Sequence, residues 1–414
     1  MNYEQAISYI HGIPKFSRVL GNERLRQLLG RLGDPQKRLR FIHIAGTNGK
    51  GSTAAMLSNI LSCQGYRTGM FTSPFIERFN ERIQIGNRYI EDNVLAEIAS
   101  KVRLCMEEHD VFVSEFAFVT AMAFVYFEQE NCDWVVLEVG MGGALDATNV
   151  ISQSEVSVLT PIGLDHMQYL GDTIEQIAQT KCGIIRENGT VVVSAGQPEE
   201  ALEIIRRNGE QKHAEVIYAK EPSEREGRFF YGGKEYTLGL QGQFQKINAA
   251  TALEVINVLK RKGTPVFEAA IREGLSTVHW MARFEFIRPN LVLDGGHNLD
   301  GIRVLAEALR ALDRSIILVL AMMQDKAYEA CVKEIAAVST AVVATQVDMP
   351  RCAPARDIGA VAQKVCGDVQ VVPRSGEAVQ AALAKAKNGE LVCVCGSLYL
   401  AGEVRRKFYA PEEE

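Results

Sequence analysis

Gly46, Thr47, Asn48, Gly49, Lys50, Gly51, Ser52 and Thr53 form a glycine-rich run directly after the apolar stretch Phe41–Ile42–His43–Ile44. These residue types suit phosphate chemistry. Backbone amides in a glycine turn can surround phosphate oxygens, the Lys50 ammonium can neutralise charge on β- and γ-phosphates, and the Ser52 and Thr53 hydroxyls are candidates for magnesium contact. The order of apolar run, glycine loop and helix-forming segment fits an ATP site. The spacing is short, since only Thr47 and Asn48 separate Gly46 from Gly49–Lys50 where the common motif has about four residues. A glycine turn without a nucleotide role is the competing reading of this run alone.

Support comes from polar residues at the ends of other apolar runs. Ser73 follows Tyr66–Phe71, and Glu138 lies in Trp134–Val139 before the glycine-rich loop 140–143. Asp165 and His166 follow Val156–Thr160, Asp294 and His297 follow Leu291–Leu293, and Ser397 follows Leu391–Cys395. Sites in open α/β sheets sit beyond the carboxyl ends of buried strands, and strands covered on both faces lack polar alternation.

The elements that must position these groups read as follows. Strands are expected at 41–44, 66–71, 134–139 and 156–160, with helices at 53–61, 92–108, 115–129 and about 247–261. In residues 1–38, Leu25, Leu28, Leu29 and Leu32 are at helical spacing. Val191–Val193, Glu215–Tyr218 and Arg228–Tyr231 suggest a smaller antiparallel section within 191–237. A fresh α/β pattern runs through 291–294, 316–321, 341–345 and 391–395, so two domains are expected, 1–287 and 288–414. Residues 75–90 read as a mobile substrate loop, with many charged and amide side chains around few apolar anchors.

The 414 residues are 47% hydrophobic with a formal charge of −6, so a folded α/β protein is expected and generic nucleic-acid binding through a basic surface is disfavoured. No secretory pattern or membrane-length apolar run is present, which makes the cytoplasm the expected compartment. The nine cysteines show no metal or disulfide spacing, and Cys393 and Cys395 alternate in an apolar run like strand residues.

Taken together with the phosphate loop, several blocks resemble the folylpolyglutamate synthase and dihydrofolate synthase family. They are Thr72–Ser73–Pro74, Leu137–Asn149 with its Gly-Met-Gly-Gly-Ala-Leu-Asp-Ala-Thr-Asn core, Gly163–Leu164–Asp165–His166, Lys181, Leu293–Asn298 and Gly396–Leu400. The resemblance spans about residues 40–405. It implies a two-domain Mur-ligase-like α/β fold, with an N-terminal P-loop domain for ATP and folate and a C-terminal Rossmann-like glutamate-ligase domain. The implied reaction is ATP-dependent ligation of L-glutamate to a reduced folate through an acyl phosphate, releasing ADP and phosphate. A bifunctional enzyme that also converts dihydropteroate, a Mur-type ligase with another acidic acceptor, and a nucleotide-responsive binding protein are the alternatives.

Residue roles follow from the same resemblance. Ser73, Glu138 and His166 are implied magnesium ligands with Ser52 or Thr53, and Lys181 stands where the family carries a carbamylated lysine. Asn248 corresponds to an adenine contact, Arg283 to a phosphate contact, and Asp294 and His297 to the ATP and reaction-facing loop. Lys50, Asp146, His166, Lys181, Arg283 and His297 are the implied catalytic set. Asp146 is read either as orienting substrate or a proton path, or as a cap of the glycine loop. Ser397 is read as a residue near the glutamate or as a strand cap. Phe75, Ala144 and Phe244 depart from the common histidine, arginine and histidine, and Phe75 can pack a pterin ring or stabilise its own loop. ATP and magnesium are the implied cofactors, reduced folate and glutamate the partners. A monomer that closes its domains to exclude water is expected, with no nucleic-acid or membrane partner.

Overall fold

The computed structural model describes residues 1–15, 21–225, 228–324, 327–387 and 389–409. The chain divides into two compact units, Met1–Gly239 with Gln245–Val278, and Leu240–Phe244 with His279–Glu414.

Among the described residues, the first unit holds an eight-stranded sheet of β1 (Phe41–Ala45), β2 (Thr68–Phe71), β3 (Ile83–Ile85), β4 (Arg88–Tyr89), β5 (Trp134–Glu138), β6 (Val156–Leu159), β7 (Thr190–Val193) and β8 (Glu215–Tyr218). Their order is β4-β3-β2-β5-β1-β6-β7-β8. From β2 to β8 neighbours run parallel, and β3 and β4 extend the β2 edge in antiparallel fashion. Every residue of β1, β5, β6 and β7 is buried, as expected of parallel strands covered on both faces. Helix Glu115–Gln129 is apolar nearly all round, and its Phe118, Phe124 and Phe127 join the core with Phe41, Phe71 and Leu137.

Two expectations are corrected here. Val191–Val193 and Glu215–Tyr218 are parallel strands of the main sheet, because the 13-residue helix Glu199–Gln211 between them is a crossover long enough to reverse the chain. Only β9 (Ser223–Arg225), β10 (Arg228–Tyr231) and β11 (Lys234–Tyr236) make the antiparallel piece. Residues 75–90, read as a loop, contain the β3–β4 hairpin and a cap: the buried Glu81 carboxylate accepts the amides of Ile76, Glu77 and Arg78 at 2.6, 2.8 and 2.6 Å.

The second unit contains β12 (Glu285–Arg288), β13 (Leu291–Leu293), β14 (Ile316–Leu320), β15 (Ala341–Gln346), β16 (Val369–Arg374) and β17 (Leu391–Cys395), ordered β12-β13-β17-β14-β15-β16. All neighbours are parallel except β12, which pairs antiparallel with β13. That pairing draws the chain from His279 onward into this unit, ahead of residue 288, so Arg283 lies within it. Among the described residues no helix is long and apolar enough to cross a membrane.

Candidate active site

The first unit reverses its strand order beside β1. From β1 the chain goes to β2 on one side, whereas from β6 it proceeds to β7 and β8 on the other, so the loops after β1 and β6 diverge and leave the crevice where such sheets bind ligands. The phosphate loop is the β1 loop, and the β6 loop carries Asp165 and His166. The two are stitched together. Pro161 carbonyl accepts the Thr47 and Asn48 amides at 2.9 and 3.2 Å, and Thr47 Oγ1 both donates to Gly163 carbonyl and accepts its amide at 3.0 Å.

This narrows the expected cradle of backbone donors over 46–51. Thr47 and Asn48 spend their amides on Pro161 and so fix the loop. Helix Lys50–Cys63 begins after Gly49, and the amides of Lys50, Gly51 and Ser52 in its first turn have no carbonyl within the helix to bond. Lys50 curls back, its Nζ donating to Thr47 carbonyl at 3.1 Å. Thr53 Oγ1 is buried without a hydrogen-bond partner, an orphaned oxygen at the start of the phosphate-binding helix. A short loop works because its neighbours are close. A Cβ on Gly49, whose φ is +85°, would lie 2.3 Å from Asn248 Oδ1.

Gly49→Ala is therefore expected to destabilise folding by about 1–2 kcal/mol from backbone strain and, by displacing Asn248 and the loop, to lower any ATP-dependent rate by about 10²-fold. Thermal unfolding and the KM for ATP check it; an unchanged KM would show that the approach of Asn248 is dispensable. Asn248 itself is nearly buried and donates to Gln245 Oε1 at 2.9 Å.

Around this loop stand the other candidates of the first unit. Glu138 ends β5 beside β1, is 5% exposed, and its Oε2 accepts the Ser73 amide at 3.2 Å. The Asp165 carboxylate accepts the His166 amide at 2.8 Å and holds that residue at φ +52°, leaving the imidazole 44% exposed with Nε2 3.9 Å from Asp165. Lys181 is buried at the end of helix Ile174–Lys181, and its Nζ donates to Gly46 carbonyl at 2.7 Å. Burial, then repulsion from Lys50, lowers its pKa from 10.5 to about 7, against the pull of Asp165 and Asp146.

The sign of that shift fixes a stability prediction. The unfolded chain binds the Lys181 proton up to about pH 10.5 whereas the folded chain releases it near 7, so stability rises with pH between those values and levels off above them. The contribution is on the order of a few kcal/mol. Lys181→Met should flatten the rise when denaturation free energies at pH 7 and 10 are compared with the parent. An unchanged rise would place its origin elsewhere.

Asp146 has both carboxylate oxygens engaged locally. Oδ2 accepts the Met141 amide at 2.9 Å, and Oδ1 accepts the Thr148 amide at 3.0 Å and hydroxyl at 2.6 Å. The geometry is that of the loop cap, one of the two roles read from the sequence. His43 on β1 reaches Thr148 Oγ1 through Nε2 at 2.9 Å and so supports the same loop. Phe75 packs on Phe79, ring centroids 5.8 Å apart, in the first unit's core.

Arg283, Asp294, His297 and Ser397 are gathered in the second unit. Asp294 follows β13 and is buried. Its Oδ2 accepts the Phe284 amide at 2.9 Å and its Oδ1 the Gly296 amide at 2.7 Å. Burial raises its pKa, against the opposing effects of Arg283 and the two amides. His297 Nδ1 is 2.8 Å from Gly295 carbonyl. Ser397 caps helix Leu398–Phe408 by accepting the Tyr399 and Leu400 amides, a helix cap where the sequence reading had a strand cap.

Among the described residues no three His, Cys, Asp or Glu side chains form a metal-holding group. A carboxylate with hydroxyls, as at Glu138, Ser73, Ser52 and Thr53, nevertheless suits magnesium, which keeps several waters and takes few protein oxygens. The orphaned Thr53 hydroxyl and the helix-start amides, which have no acceptor within the helix, suit a nucleotide phosphate. Sequence reading missed Pro161, because a carbonyl acceptor has no side-chain signature, and it missed His43 and Thr148 as supports of Asp146. The Ala-Thr-Asn sequence after Asp146 was the available signal for the last.

Residues 44–256 match the Mur ligase middle domain and residues 282–398 the glutamate ligase domain of Mur ligases. The chain is 36% identical over 431 residues to a folylpolyglutamate synthase of Lacticaseibacillus casei, covering 98% of each chain. It is 34% identical over 428 residues to a dihydrofolate synthase/folylpolyglutamate synthase of Bacillus subtilis, covering 98% of this chain and 99% of that one. Among solved structures, the bifunctional folylpolyglutamate synthase/dihydrofolate synthase of Yersinia pestis complexed with AMPPNP and Mn ion superposes with a TM-score of 0.88 at 27% identity, covering 99% of this chain and 98% of that one.

Proposed function

The chain belongs to the folylpolyglutamate synthase and dihydrofolate synthase family of Mur ligases, and from that premise we propose that it joins L-glutamate to a reduced folate with ATP. It is an ATP-dependent ligase that forms an amide bond. The observation that carries the reading is the phosphate loop at the switch point of the first sheet, with Lys50, Glu138, Ser73 and Lys181 set on or beside it.

In the reaction a folate carboxylate oxygen attacks the γ-phosphorus of ATP, the bond to the β-phosphate oxygen breaks, and ADP leaves. The glutamate amine then attacks the acyl carbon, the acyl C–O bond to phosphate breaks, and the proton lost by nitrogen goes to the departing phosphate or to water. Lys50 and the amides of residues 50–52 hold phosphate oxygens and offset their charge as the bond to ADP lengthens. Asn248 is assigned to adenine, Arg283 to a phosphate contact, and Asp294 and His297 to the ATP and reaction-facing loop. Ser397 is assigned to the glutamate side and Phe75 to the folate side. Ser73, Glu138 and His166, with Ser52 or Thr53, would hold magnesium, which when bound reduces repulsion between carboxylate and phosphate. With its pKa near 7, Lys181 carries a substantial neutral fraction at neutral pH, and that amine is competent to take up carbon dioxide as a carbamate. The carbamate would present oxygen toward the metal ligands. Asp146 holds the loop that carries Gly140 to Gly143.

A second reading, dihydropteroate as an additional acceptor, is favoured by the Bacillus subtilis relative, whose name joins both activities. Action as a cytoplasmic monomer completes the proposal, and the net charge of −6 supports action without nucleic acid. Magnesium- and ATP-dependent glutamate addition, with reduced monoglutamyl folate and dihydropteroate supplied separately and products weighed by mass spectrometry, tests both readings. Product from the reduced folate alone marks a polyglutamylating enzyme, and products from both mark dual activity. ATP binding without glutamate-dependent phosphate release would leave a nucleotide-responsive binding protein.

A further inference from the structure

Arg283 sits between two residues in an unusual backbone conformation. Ala282 has φ +53° and Phe284 φ +54°, the left-handed region that non-glycine residues rarely adopt unless their surroundings impose it. Two buried carboxylates impose it, one on each side. Glu285 Oε2 accepts the Ala282 amide at 2.8 Å, and Asp294 Oδ2 accepts the Phe284 amide at 2.9 Å. The Gly295 amide closes the turn by donating to Ala282 carbonyl at 2.8 Å. A Cβ on Gly295 would lie 2.1 Å from Leu398 Cδ2 and 3.1 Å from Arg283 Nη1, so a side chain there would displace those two groups.

Asp294 is one of the loop residues already assigned to nucleotide, but Glu285 is outside every role described so far. It is anchored from the opposite end of the unit's sequence. Arg405 Nε, in helix Leu398–Phe408, lies 3.0 Å from its Oε1 and 3.2 Å from its Oε2, and the two side chains are 9% and 6% exposed. His279 Nε2 is 3.3 Å from the same Oε1. A buried ion pair is generally no more stabilising than apolar side chains of the same volume, so stability alone does not account for one here. What this pair does that apolar residues cannot is hold a carboxylate oxygen at the Ala282 amide.

We propose that Glu285, fixed by Arg405, is a positioning residue that sets the left-handed turn at Ala282–Phe284 and thereby aims the Arg283 guanidinium. The inference rests on the assignment of Arg283 to a phosphate contact. Removing the carboxylate frees the Ala282 amide and lets the turn relax to ordinary backbone, which carries Arg283 away from its place over Gly295. Glutamine at position 285 keeps an acceptor of nearly the same shape, whereas leucine keeps the volume and loses the acceptor.

The experiment compares Glu285→Gln, the paired Glu285→Leu/Arg405→Leu variant, which leaves no buried charge unpaired, Arg283→Ala, and the triple combination in the full-length enzyme. Ligation kcat, the KM for each substrate and amide hydrogen exchange at residues 282–284 are read. Arg283→Ala is expected to lower kcat by about 10²-fold. The paired variant should lower kcat by about tenfold with the KM for folate unchanged and exchange at Ala282 accelerated. Adding it to Arg283→Ala should cost nothing more, and Glu285→Gln should retain most of the activity.

Equal losses from the paired variant with and without Arg283, or unchanged exchange at Ala282, would overturn the proposal. If the paired variant fails to fold, Glu285→Gln decides: slow exchange at Ala282 with near-parental kcat supports the acceptor role, and loss of kcat without faster exchange overturns it. Parental activity of Arg283→Ala would instead sink the assignment of Arg283, which the exchange data at Ala282 distinguish from a failure of Glu285 to hold the turn.

Discussion

Lys50→Met is expected to lower glutamate ligation by about 10²–10³-fold with little change in the folded structure. Lys50 opens helix Lys50–Cys63, and its side-chain hydrogen bond, Nζ to Thr47 carbonyl at 3.1 Å, is worth on the order of 1–3 kcal/mol in stability. In the proposed reaction its ammonium instead meets charge that develops on the transferred phosphate. The same substitution carries a second signature, because Lys50 repulsion is one of the causes that lower the Lys181 pKa. Without Lys50 that pKa moves up toward 10.5, so the rise of stability with pH starts later and is smaller. Steady-state kinetics and denaturation at pH 7 and 10 read both effects. Activity within threefold of the parent would remove Lys50 from the phosphate.

Glu138→Gln is expected to reduce kcat by a similar factor, about 10²–10³, and to raise the magnesium concentration needed for half-maximal rate. Glutamine has the shape of glutamate and can still accept the Ser73 amide, now 3.2 Å from Glu138 Oε2, so the end of β5 keeps its local bond. What goes is the negative charge, which a hard divalent cation uses and an amide does not supply. Magnesium titrations of rate, alongside melting temperatures, separate the two contributions. A lowered melting temperature with normal activity per folded molecule would make Glu138 a strand-end residue and nothing more.

The sequence determined by itself those features that rest on local pattern. β1, β5, β14 and β17 were legible because parallel strands buried on both faces write unbroken apolar runs. The phosphate loop was legible because its glycines and Lys50 are consecutive. β16 lies at a sheet edge with all six residues partly or fully exposed, and no apolar run marks it. Tertiary structure alone decided whether 191–218 would join the main sheet, since strand pairing depends on where helix Glu199–Gln211 packs. It also decided that Thr47 and Asn48 give their amides to Pro161, and that Asp146 caps its loop and Ser397 its helix. The reason is physical: the Asp146 and Ser397 caps are local bonds whose formation depends on the backbone path that the surrounding fold imposes, whereas strand pairing and the Pro161 bonds join groups far apart in the chain, often backbone carbonyls and amides that every residue carries. Glu285 and Arg405, 120 positions apart, hold the turn of Arg283 by such bonds, and neither residue's neighbours in sequence say so.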